Sequence, residues 1–361
     1  MSTNRKLIVV LLSAILVFSL TLIAGCGGGG GGTAAVDGGG NTPGVSGTVS
    51  GTAVKGPVAN ATVTAFSINP NGTVGGQIGT GKTDAQGNFS VNVGDYSGPM
   101  MLQMTGGSYM DEATGINVNM GQNDSLTSMI PSMTAGSMMS GIQMTPLTSM
   151  AQNMAQFMQG GMTSANMTAA NNAIGQYFSV NNVLFTSPIN PLVQNAGNGA
   201  DQNMKNYGMT IAAMSQYANT MGMAYSSNIV SSMMNDVADG NMDGMMGGTG
   251  IEMGGGMMNG TTPGGDMNGG TPGGGMMDGT TPGDGMMDGT TPGGGSTMMG
   301  VNKAIIGTAT GGNLLPPDAG TTGLAGAMMK FIQSPMNKSG VTVQDMKALI
   351  DKLNASNGII R

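Results

Sequence analysis

The chain has 361 residues and contains no histidine and no tryptophan. Without histidine there is no His-based catalytic triad and no imidazole metal site. Only one cysteine is present, so an intrachain disulfide is excluded. Charged residues make up only 8% of the chain, and 11 Lys and Arg face 18 Asp and Glu, for a net charge of −7. No basic stripe exists, which argues against a nucleic-acid surface. Aromatics are 4%. The acids are scattered and form no recognisable catalytic pair. A glycosidase working with carboxylates alone stays chemically open, but no residue points to it. An enzyme is not expected, and no catalytic residue is assigned.

What the chain has instead is glycine (67) and methionine (40). So glycine-rich a chain, with so few aromatics, cannot fill its whole length with one dense core. Part of it is expected to lack packed structure.

The N-terminus is the most informative stretch. Arg5 and Lys6 precede a long apolar run that ends in Leu22-Ile23-Ala24-Gly25-Cys26. A basic start, an apolar centre and a small-residue exit make a secretory signal. An uncut membrane helix is the competing reading, since the run is just long enough to span. Leu22–Cys26 resembles the lipobox of bacterial lipoproteins. That resemblance implies cleavage before Cys26 and acylation of Cys26, with a stable membrane anchor. Residues 1–25 are then the signal peptide and 26–44 a Gly-rich tether. Gly27 follows the cysteine where inner-membrane retention usually needs Asp, so the outer membrane of the cell envelope is the expected location. The side it faces is not encoded there.

From Val45 the pattern changes to short Val- and Thr-rich runs separated by Gly56-Pro57, Asn69-Pro70 and Asn71-Gly72. Such runs predict antiparallel strands. The segments GTVSGTAVKGPVANATVTAF and TDAQGNFSVNVGDY resemble the carboxypeptidase regulatory-like family. The resemblance implies a transthyretin-like β-sandwich over 45–120 with a non-catalytic, accessory role. Inside it, Gly76 to Thr83 spells the phosphate-loop string G-x-x-x-x-G-K-T. A working phosphate loop needs a helix to start at its Lys-Thr. Here Asp84, Gly87 and Asn88 follow, so a turn into the next strand is expected and phosphate binding is not.

Residues 121–242 are expected to be mainly helical. Thr145 caps a helix with Pro146 at its first position. Leu147, Met150, Ala151, Met154 and Phe157 then follow at helical spacing. Met167, Ala170, Ile174 and Phe178 repeat it, as do Tyr207, Ile211, Met214 and Ala218, and then Val230, Met233 and Val237. Methionine stands where leucine is usual, and core filling is the expected use. Asp239 to Gly244 matches the first half of a calcium loop, but its twelfth position is Gly250, so a helix-ending acidic turn is expected.

Residues 243–300 are a low-complexity repeat. A ten-residue unit begins at Gly256 and recurs at Gly275 and Gly285. Its Gly, Pro and Thr content predicts a disordered linker. Its methionine pairs Met257-Met258, Met276-Met277, Met286-Met287 and Met298-Met299 offer soft thioether sulfurs to Cu(I), so copper is the alternative ligand expected here. Residues 301–361 are expected to be a helical tail. There, Thr342 and Asp345 resemble a capping box, and the tail is expected to pack back on the earlier helices. The whole reads as multidomain: a β-sandwich, then an all-α region interrupted by the disordered Gly/Met-rich repeat. The expected role is a lipid-anchored envelope protein that binds or supports an envelope protein or polysaccharide. Copper handling is the alternative.

Overall fold

The computed structural model describes residues 46–121, 124–223, 225–253 and 314–360. Strands come first. They are β1 (Gly47–Ala53), β2 (Thr62–Ile68), β3 (Val74–Lys82), β4 (Asn88–Gly94), β5 (Gly98–Thr105), β6 (Ser108–Met110), β7 (Asn117–Asn119), β8 (Ser125–Met133) and β9 (Met138–Met144). Strand β4 shows the cause most cleanly. Phe89, Val91 and Val93 are buried while the residues between them face solvent, the period of two that a pleated strand imposes.

A three-stranded sheet has the order β4-β1-β9, and a four-stranded sheet has the order β3-β2-β5-β8. Every pairing is antiparallel except β1 with β9. Strands β6 and β7 form a separate small pair. The phosphate-loop string lies on β3 and runs into a turn, with no helix at Lys82 or Thr83. Its glycines have a packing reason. A Cβ on Gly79 or Gly81 would collide with the carbonyl of Asn92 or Ser90 on β4. Thr83 is buried, and its hydroxyl accepts the Ala61 amide at 2.8 Å.

Strands continue past residue 120, into the stretch expected to be helical. Strand β8 reads SLTSMIPSM, short of β-branched residues and interrupted by Pro131, which hides it from sequence patterning. Its first six residues are all buried. It is the last strand of its sheet, and helix α1 (Pro146–Phe157) covers its outer edge. Thr127 donates its amide to Ser149 Oγ at 2.8 Å, and its carbonyl accepts from Thr148 Oγ1 at 2.7 Å. Helix side chains thus satisfy an edge that would otherwise be open to pairing.

The helices follow: α2 (Ser164–Tyr177), α3 (Gln202–Thr220) and α4 (Ser227–Asp236). A short hairpin comes next, β10 (Met245–Met246) with β11 (Thr249–Gly250), and then α5 (Thr322–Ile332) and α6 (Val343–Ala355). Thr145 caps α1 with Pro146 at its first turn, as its sequence predicts, and Thr148 completes a capping box. The box at Thr342 and Asp345 opens α6. Met150, Met167, Met209, Met214, Met233, Met328 and Met346 are fully buried, so methionine does fill the core. The tail does return, with α5 packed on α3 and α6 packed on α5. The described residues all belong to one compact unit.

Candidate functional site

The most heavily charged buried cluster lies where the strands meet the helices. It begins at Lys55, which follows β1 in the Gly56-Pro57 turn. Gly56 takes φ +62, and a Cβ there would strike the Met110 carbonyl, so the turn must lie flat against the end of β6. Lys55 is thereby aimed inward and is completely buried. Its ammonium donates to Glu112 Oε2 at 2.9 Å, to Ser226 Oγ at 2.9 Å and to Ser215 Oγ. Ser215 lies on α3, and Ser226 precedes α4.

The remaining protons fall into place around it. Ser215 donates to Glu112, and Ser226 donates to Asp111 Oδ2. Since Ser226 has one proton, Tyr109 donates in its contact with Ser226 at 3.0 Å. The Lys55 Nζ also lies 5.1 Å from the centre of the Tyr109 ring, in cation–π range. Asp111 Oδ1 takes the amides of Ala113 and Thr114 and the Thr114 hydroxyl. All three ammonium protons are therefore used.

That geometry fixes the chemistry. Burial alone pushes the Lys55 pKa down, but its electrostatic interaction with Glu112 above all, and then with Tyr109 and Asp111, outweighs it and holds the pKa above the ordinary lysine value. A serine beside a lysine is a nucleophile–base pair only if the lysine is neutral. Here it is a protonated cation clamped on a carboxylate. The arrangement stores a charge pair and joins β1, β6, α3 and α4. Sequence reasoning passed over Lys55. The available signal was a lysine between Val54 and Gly56-Pro57 in a chain with few cations, with the adjacent acids Asp111 and Glu112 further on.

A second cluster forms at the end of α4. Asp236 is buried, and its Oδ1 accepts the amides of Asp243 at 3.0 Å and Gly244 at 2.7 Å. Asp239 accepts from Asn241 and Gly247, and Asp243 accepts from Met245. The carboxylates of the half calcium loop thus bind backbone amides and make the helix-ending turn. Among the described residues, no group of three or more acids or thiols could hold a metal ion. Burial, above all, raises the Asp236 pKa to about 7.

A shallow open groove beside β6 and β7 is lined by Asn60, Gly107, Ser108, Asn119 and Met120. Among the described residues, no helix is long and apolar enough to cross a membrane. Cys26, the signal at 1–25 and the tether at 26–44 lie outside the described residues. The methionine pairs Met257, Met258, Met276, Met277, Met286, Met287, Met298 and Met299 also lie outside them. No family model matches the chain, and no curated protein or solved structure matches it.

Proposed function

We propose that this chain is a lipid-anchored protein of the bacterial cell envelope with a non-catalytic binding or structural role. The observation that carries the reading is Leu22-Ile23-Ala24-Gly25-Cys26 behind a basic start and an apolar run, with six glycines after it. Two or more acyl chains on Cys26 supply a lasting anchor. The folded unit adds support, because its most charged buried cluster is spent on holding strands to helices. The sheets β4-β1-β9 and β3-β2-β5-β8 are read as the two faces of a carboxypeptidase regulatory-like sandwich, continued by the helices. The partner class is an envelope protein or polysaccharide.

Copper handling is the weaker reading. It rests on the methionine pairs of residues 257–299, and methionine is also the chain's general core residue. Replacement of Cys26 by Ala tests the preferred reading. The variant is expected to lose incorporation of labelled palmitate and to leave the membrane fraction. A Cys26→Ala protein that stays membrane-bound, from a parent that takes up no palmitate, would overturn it.

A further inference from the structure

The turn that follows α4 is a junction. Its backbone carries the end of the chain: Met242 donates to the Gly358 carbonyl at 2.9 Å, and Ile360 donates to the Gly240 carbonyl at 2.8 Å. It also holds the segments on either side of residues 254–313. Ile251 donates to the Gly244 carbonyl at 3.1 Å, and Leu315 donates to the Ile251 carbonyl at 2.7 Å. The same turn is closed from inside by one side chain, Asp236, through the amides of Asp243 and Gly244.

Asp236 is an unusual closure. Its side chain is fully buried, and its second oxygen, Oδ2, has no hydrogen-bond partner. Among the described residues no lysine or arginine pairs with it. The titratable groups that act on it or feel it are Asp243, a like charge on the turn, and Tyr177 at the end of α2, whose own pKa is raised first by burial and then by Asp236, while the backbone amides of Gly244, Asp243 and Met245 pull the Asp236 value down. Helix α1, packed against the same turn, carries no titratable residue. A neutral carboxyl sits in this place at lower cost than an ionised one. An ionised one leaves a buried charge half-served.

We propose that Asp236 is a proton-operated latch, closed when its carboxyl is neutral and loosened when it ionises, releasing the turn together with the chain end and the segments flanking 254–313. The sign follows from linkage. Asp236 holds its proton far more tightly in the closed turn than in an open one, so closure is strongest at low pH, weakens as pH climbs above the ordinary 3.8 and levels off above about 7. With an open-state value near the ordinary 3.8, the opening constant rises about 30-fold between roughly pH 5.5 and 8.5.

Hydrogen exchange on the full chain reads this directly, once corrected for the intrinsic pH dependence of amide exchange. The amides of Met242, Gly244 and Ile360 are expected to show that rise, while those of β1 and β4 do not. Asp236→Asn, which keeps the shape and cannot ionise, is expected to flatten it. A flat wild-type profile, or a slope retained in Asp236→Asn, would overturn the latch. A carbon-13 titration of the wild-type Asp236 carboxyl gives a check that needs no variant. Its midpoint should fall where the rise in opening levels off, and a midpoint more than about one unit from that pH also overturns the proposal.

Discussion

Lys55 and Glu112 meet at 2.9 Å with both side chains withdrawn from water. Fifty-seven positions separate them in the chain, and Ser215 and Ser226 join them from further still. Removing one partner of such a pair leaves the other charged and buried, at a cost of about 3–5 kcal/mol. Lys55→Met is expected to lower stability by about that much in urea unfolding. Lys55→Met with Glu112→Leu is expected to cost less than the two single changes added together. Additive losses would mean that the charges do not act as a pair. The pH dependence has a definite sign. The folded-state pKa of Lys55 is raised, so its contribution is complete below the ordinary lysine value and is lost only as pH climbs beyond 10.5.

Gly72 and Gly76 give a paired test of how strands and helices touch. Gly72 has φ +78, and a Cβ there would enter the Gly160 carbonyl, while Met162 donates its amide to Gly72 at 2.8 Å. Gly76 on β3 has open space around it. Gly72→Ala is therefore expected to destabilise by about 3 kcal/mol or more, from positive φ and backbone collision together. Gly76→Ala is expected to lie within about 0.5 kcal/mol of the parent. Equal melting temperatures for the two variants would contradict the docking of this hairpin turn on the α1–α2 turn.

Residues 254–313 depart beside Glu252 and return at Leu314, and these two residues form a β-bridge. Replacing the segment with a short Gly/Ser link is expected to leave the circular dichroism spectrum of the folded unit unchanged. Closing a loop of a few residues in place of sixty also recovers about 2 kcal/mol of closure entropy. Loss of cooperative unfolding in the shortened chain would show that the segment contributes to the core.

The helices were legible where local chemistry sets them. Thr145-Pro146 and Thr342 with Asp345 act within a single turn, and the spacing of Leu147, Met150, Ala151 and Met154 shows the buried face directly. The strand β4 was legible by its alternation. Strand β8 was not, because it is covered on both sides and so loses the alternation, and because methionine and serine stand where β-branched residues would mark it. Lys55 and Asp236 were missed for a different reason. A lysine in a turn and an acid at a helix end both read as solvated groups. What buries them is supplied by α3 and α4 in one case, and by the folded-back turn with its chain-end partner in the other.

The bridge between Glu252 and Leu314 bears on inheritance. The ten-residue units beginning at Gly256, Gly275 and Gly285 are near-copies, and tandem copies in a coding sequence gain and lose members during replication. Because departure and return are hydrogen-bonded neighbours, a chain with more or fewer whole units can leave and rejoin the folded unit at the same two points. A chain carrying one unit more or fewer is expected to keep the stability of the folded unit to within about 0.6 kcal/mol, the closure cost of doubling a loop.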